Sequence, residues 1–233
     1  MFNKHPKGLI AAALANLGER FGFYTMMAIL VLFLQAKFGM NGKEAGFIYS
    51  TFYFSIYILA LVGGIIADKT RNYKGTIFTG IVLMAVGYLL LAIPSKTPVD
   101  NKMLYLVITC ASLFVIAFGN GLFKGNLQAL VGQMYDNPQY ANMRDSGFSL
   151  FYMFINIGAI FAPFAAVGVR NWWLSTFGYN YDADLPALCH GQLAGTLSPE
   201  ATETYHTLVT KASTAPVQDY TAFASDYLNV FTT

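Results

Sequence analysis

Apolar stretches broken by short polar or glycine- and proline-bearing turns run through residues 1–173. The first begins near Gly8 and ends near Phe38. It is roughly 30 residues long, or about 45 Å of helix, where a bilayer core needs only about 20 apolar residues. The pattern predicts five spanning helices, over about 9–37, 43–68, 75–94, 102–132 and 145–168. Gly39 to Gly42 makes the first turn, and the charged segment from Asp68 to Lys74 makes the second. Pro94 ends the third helix, and a polar turn with Pro98 and Asp100 follows. Asp136-Asn137-Pro138 breaks the chain again before the fifth helix. Arg170 and the pair Trp172-Trp173 close that helix and suit a headgroup belt.

The pattern changes after Trp173. Residues 174–233 hold half of the chain's twelve acids and one base, Lys211, with no apolar run long enough to span. Ser198-Pro199-Glu200 reads as a helix start, with serine as cap and proline at the first helical position. Tyr205, Leu208 and Val209 give that helix an apolar side. Tyr220, Phe223, Tyr227 and Phe231 are spaced for one face of another. The segment is expected to be aqueous and partly helical.

Composition agrees with the pattern. The 233 residues are 55% hydrophobic and 11% charged, and the mean hydropathy is +0.47. Soluble domains carry about 25% charge. The chain reads as an all-α, multi-pass membrane protein. A net charge of +2 without a basic stripe gives no basis for nucleic-acid binding. Cys110 lies in an apolar run and Cys189 in the polar segment, so no disulfide framework is implied. The first apolar run is too long for a cleaved signal and lacks a small-residue cleavage site, so it should remain as a spanning helix. With the N-terminus inside, inner segments carry Lys4, Lys7, Lys69, Arg71, Lys74 and Arg144. Outer ones carry Lys37, Lys43, Lys96, Lys102 and Arg170, a slight excess inside.

Three charges fall where lipid would surround them. Glu19 and Arg20 lie midway along the first run, and each charge at the centre of a spanning helix costs about 2.5–3.5 kcal/mol, roughly 5–7 together. Such a cost points to a solute or ion pathway rather than to stability. Lys124 stands in Gly119-Asn120-Gly121-Leu122-Phe123-Lys124-Gly125-Asn126. It either pairs with a carboxylate, for which Glu19 is the one buried candidate, or snorkels to an interface. Asn156, in the fifth helix, is either interhelical glue or a ligand contact. Tyr49, Tyr53 and Tyr57 share one face of the second helix, as a packing stripe or a solute surface. Asn16, Arg20, Phe23, Tyr24 and Met27 run along the first helix with Glu19 beside them.

At these residues the chain resembles the proton-dependent oligopeptide transporter family of the major facilitator superfamily. Glu19-Arg20-Phe21-Gly22-Phe23-Tyr24 is similar to the family's helix-1 motif, Glu-x-x-Glu-Arg-Phe-x-Tyr-Tyr. Gly119 to Asn126 is similar to its helix-4 motif with the lysine. Asp145 to Met153, continued by Asn156-Ile157-Gly158, resembles its helix-5 signature. Gly63-Gly64-Ile65-Ile66-Ala67-Asp68, with Lys69 and Lys74, resembles the superfamily's helix 2–3 loop, which is cytoplasmic there. The resemblance covers about residues 8–170. Some positions depart from it. Asn16 stands for the first glutamate and cannot titrate. Phe23 stands for the first of the paired tyrosines. Met27 stands for an arginine that holds a peptide carboxylate, and Gly125 for a proline after the lysine.

The resemblance implies five helices of a major-facilitator-type N-terminal six-helix bundle (residues 1–173). Residues 174–233 would be an extracytoplasmic insertion before a missing sixth helix. It further implies a partner in the missing C-terminal bundle, a plasma (inner) membrane location and a cytoplasmic N-terminus. The expected function is that of a fragment of a secondary transporter for small peptides or similar solutes, with no cofactor and a proton as coupling ion. Glu19, Arg20 and Lys124 are the expected coupling residues. Tyr24, Tyr57, Asn120 and Asn156 are the expected solute contacts. A non-peptide solute and a non-transporting membrane scaffold are the alternatives. Enzyme chemistry is not expected. Cys189-His190 is adjacency rather than a dyad, and His5, His190 and His206 have no metal-ligand spacing.

Overall fold

The computed structural model describes residues 4–233. Its helices are α1 (Gly8–Phe38), α2 (Gly42–Thr70), α3 (Tyr73–Leu91), α4 (Lys102–Met134), α5 (Arg144–Thr176), α6 (Leu185–Ala194), α7 (Pro199–Ala212) and α8 (Tyr220–Thr232). A single 3-10 turn over Ala141–Met143 leads into α5. The first five are long and apolar enough to cross a membrane.

Local chemistry explains where the spans begin and stop. Asn41 caps α2 by accepting from the Lys43 and Glu44 N–H groups at 3.0 and 2.9 Å, and the Glu44 carboxylate accepts from the Asn41 N–H at 3.1 Å. The two side chains thus satisfy each other's free donors. Asn72 and Asn101 cap α3 and α4 by accepting from the Gly75 and Leu104 N–H groups. Gly39, at φ +62°, ends α1 in the left-handed region that favours glycine.

Two sequence boundaries need correction. The third helix ends at Leu91 rather than near residue 94, because a residue before proline is driven out of helical conformation. The fifth extends to Thr176 rather than stopping near residue 168. Its last turns are held by tertiary contact: Leu174 is fully buried and the Trp173 indole N–H donates to the Val230 carbonyl at 3.0 Å. A further helix, α6, has no counterpart in the sequence reading.

The chain divides into two compact units. The first comprises residues 4–26, 50–91 and 108–163. Its core joins Leu9 and Ala13 of α1, Met84 of α3, Phe123 and Leu127 of α4, and Phe151 of α5. Its helices approach closely where glycines face backbone. A Cβ on Gly80 would meet the Gly119 carbonyl at 2.7 Å, and one on Gly119 would meet the Gly80 carbonyl at 2.6 Å. Small residues at such crossings let spanning helices pack without a hydrophobic driving force. The Asn126 amide ties α4 to α2 by donating to the Gly63 carbonyl at 3.0 Å.

The second unit comprises residues 27–49, 92–107 and 164–233. Here α6, α7 and α8 enclose a core of Leu185, Cys189, Tyr205, Val209, Tyr227 and Leu228. Ser198 caps α7 through the Ala201 N–H, and Asp219 caps α8 through the Thr221 and Ala222 N–H groups. Both cysteines are free. Burial pushes the Cys189 thiol up to about 12.

His190 donates from Nε2 to the Ala36 carbonyl at 2.6 Å. Burial, with Lys102 adding to it, holds its imidazole below the ordinary histidine range. The folded unit therefore favours the neutral ring. The stability this supplies is complete above the unfolded pKa, about 6.5, and is lost as pH falls through the lower folded value. Amide protection in α6, corrected for the intrinsic pH dependence of exchange, should fall on acidification below about 6.5. A His190→Gln variant should show a flatter response over the same range.

Candidate functional site

The first unit holds Glu19 and Arg20 of α1 and Lys124 of α4. Glu19 and Arg20 are consecutive, and neighbours on a helix do not ordinarily face each other. Their side chains nevertheless turn together into a forked ion pair. Arg20 Nε donates to Glu19 Oε2 at 2.5 Å and Nη2 to Oε1 at 2.7 Å. Side-chain exposure is 6% for Arg20 and 8% for Glu19. The guanidinium lies over Phe23 at 4.9 Å and Tyr24 at 5.8 Å from the ring centroids, which adds cation–π attraction in a desolvated setting. A bidentate pair is the arrangement best able to offset burial of two charges.

Asn120 completes the carboxylate's shell. Fully buried on α4, it donates from Nδ2 to Glu19 Oε1 at 2.6 Å. Its Oδ1 is buried and accepts no hydrogen bond among the described residues. An acceptor left idle beside a carboxylate has a defined use, since a protonated carboxyl is a donor. Rotating the amide would let Asn120 serve either ionisation state of Glu19.

Lys124 lies one turn further along α4, half-buried. Its Nζ sits 5.3 Å from the centroid of Tyr57, whose hydroxyl meets that of Tyr53 at 3.0 Å. The charge acts on Glu19 electrostatically, yet among the described residues the ion pairs within 4.0 Å are Arg20–Glu19 and Arg144–Asp136. Both Glu19 oxygens are already engaged by Arg20 and Asn120, and the amine lies against an aromatic face instead.

The other candidates divide. Asn16 and Met27 are buried along α1 with Arg20 and Phe23. Tyr24 is half-buried beside the guanidinium. Asn156 is exposed on α5 and makes no hydrogen bond to another helix among the described residues. Sequence reasoning named Asn120 as a solute contact without anticipating that it binds Glu19. It also missed Tyr88 of α3, which lies within electrostatic reach of the same ion pair. A tyrosine in an apolar helix carries no local mark of that proximity.

A model of the POT family matches residues 74–189. The peptide transporter YePEPT of Yersinia enterocolitica is 34% identical over 185 residues, covering 77% of this chain and 34% of that protein. The dipeptide and tripeptide permease A of Enterobacter sp. is 34% identical over 179 residues, covering 76% and 32%. An uncharacterized transporter of Bacillus subtilis, YclF, is 32% identical over 203 residues, covering 83% and 37%. The chain thus spans about a third of the length of these curated relatives. Among solved structures, a glutamate-to-glutamine mutant of a peptide transporter POT in complex with sulfate superposes with a TM-score of 0.63 at 27% identity. That match covers 91% of this chain and 45% of the other. Tetrameric PepTSo2 gives 0.64 at 26% identity, covering 96% and 48%.

Proposed function

The chain is a member of the POT family over the part of those relatives that it spans, and from that premise we propose that it forms part of a proton-coupled transporter of di- and tripeptides. The family is one of transporters, and the chain is a multi-pass membrane protein. The observation that carries the reading is the Glu19 carboxylate, held by Arg20 and Asn120 deep in the spanning part of α1. Taking up a proton there removes the negative half of the ion pair and leaves Arg20 and Lys124 as uncompensated cations. A peptide carboxylate then has two cationic partners, which couples proton uptake to solute uptake. Either cation substitutes for the arginine that Met27 replaces. Tyr24, Tyr57 and Asn156 supply further polar contacts. The N-terminus is cytoplasmic in this arrangement, and the remaining bundle provides the opposite wall of the solute path.

A second reading has one observation in its favour. Asn16 and Met27 are buried where the resemblance implies an acid and an arginine, which suits a solute without a free carboxylate. Uptake into proteoliposomes under an imposed proton gradient separates the two. The transporter carrying this chain should accumulate di- and tripeptides in preference to amino acids and uncharged solutes. Lys124→Ala should weaken peptide affinity roughly tenfold or more, the loss of one charged hydrogen bond, and should stop accumulation. Accumulation of peptides unchanged by Lys124→Ala would reduce this lysine to an interfacial amine. A preference for uncharged solutes would favour the second reading.

A further inference from the structure

Outside the ion-pair site, a groove of about 550 Å³ lies in the second unit where α2 and α4 begin. Its apolar floor is Met40, Phe47, Ile48 and Leu106, and its rim carries Lys43 and Lys102. We propose that this groove binds an acidic phospholipid, with the phosphodiester held by Lys43 and Lys102 and an acyl chain laid over Phe47 and Leu106.

The argument rests on polarity along the two helices. Both start at this end of the spans, so both run into the apolar layer in the same sense. Phe47 follows Lys43, and Leu106 follows Lys102, by one helical turn, about 6 Å of rise. Each lysine thus stands one turn before a large apolar side chain of its own helix, and all four line the same groove. That is the layering of a headgroup over the first methylenes of its chains.

Charge selects among lipids. Neither lysine is within 4.0 Å of a carboxylate among the described residues. Glu44, the acid on the groove, has its carboxylate turned back to the Asn41 N–H at 3.1 Å, where it caps α2. Two cations and one anion leave a single positive charge. That matches the one negative charge of a phosphatidylglycerol headgroup, whereas phosphatidylcholine is already neutral. The surroundings are open and apolar, since Phe47 is 73% and Met103 71% exposed.

Native mass spectrometry of the purified chain, mixed with equal amounts of phosphatidylglycerol and phosphatidylcholine, tests this. Phosphatidylglycerol should be retained preferentially. Lys43→Ala and Lys102→Ala should each lower that preference about fivefold, and the double variant should abolish it. Lys211→Ala, at an exposed position of α7, should leave it unchanged. Both groove lysines are exposed, so their removal does not threaten folding. Equal retention of the two lipids, or a double variant that still selects phosphatidylglycerol, overturns the proposal. A dimer peak that disappears with the lysines assigns the groove to a second copy. Loss of the lipid adduct in the longer transporter assigns it to another segment of that protein. Either result overturns the lipid reading and leaves the peptide-transport reading untouched.

Discussion

Glu19→Gln should abolish accumulation of solute under a proton gradient while preserving exchange of solute across the membrane without one. Glutamine keeps the size of the side chain and one of its oxygens, so Arg20 and Asn120 retain a partner to bond. It cannot titrate. The effect should be large because, among the described residues of the five spans, Glu19 is the acid that lies away from a helix end. The remaining acids of the five spanning helices, Glu44, Asp68 and Asp145, sit in terminal turns, and Asn16 is an amide. Counterflow in proteoliposomes is the control, since it needs the solute site and the conformational cycle but no net proton movement. Gradient-driven uptake equal to wild type would remove Glu19 from the coupling route.

Arg20→Gln should have the larger effect on the fold itself. It leaves the Glu19 carboxylate buried without its counter-ion, and removal of one partner from a buried pair costs about 3–5 kcal/mol. The variant should therefore express poorly or unfold at much lower denaturant. In the double variant Glu19→Gln/Arg20→Gln neither position carries a charge, and most of that stability should return. Transport should not return with it. Unfolding in mixed detergent reads the first quantity and proteoliposome uptake the second. Equal stability of all three variants would mean that the pair is hydrated and contributes no burial cost. Recovered accumulation in the double variant would make the pair purely structural.

These variants address a site whose residues were legible but whose contacts were not. The cost of placing Glu19, Arg20 and Lys124 in apolar runs is visible from composition along a helix, since it depends only on neighbours in sequence. The direction in which each charge turns depends on what is packed against it. Asn120 reaches Glu19 across 101 residues of chain, and Lys124 settles on Tyr57 of α2 rather than on the acid. Pairing of consecutive residues runs against helical spacing, so no periodicity argument would have proposed the Arg20–Glu19 fork.

The fold shows the same division. Apolar run length, Ser198-Pro199 before α7, and the aromatic spacing of α8 are local signals, and the helices they announce are present. The ten residues of α6 mix glycine, histidine and cysteine with leucine and have no apolar period. That helix persists because Leu185 and Cys189 are buried against Tyr205 and Tyr227. By itself, the sequence determined that this chain has five segments able to cross a membrane and that three charges interrupt them, because hydropathy and desolvation cost are properties of a residue and its near neighbours. Only the tertiary structure decided which oxygen each donor meets, where α5 stops and that α6 exists, because those outcomes depend on surfaces brought together from distant parts of the chain.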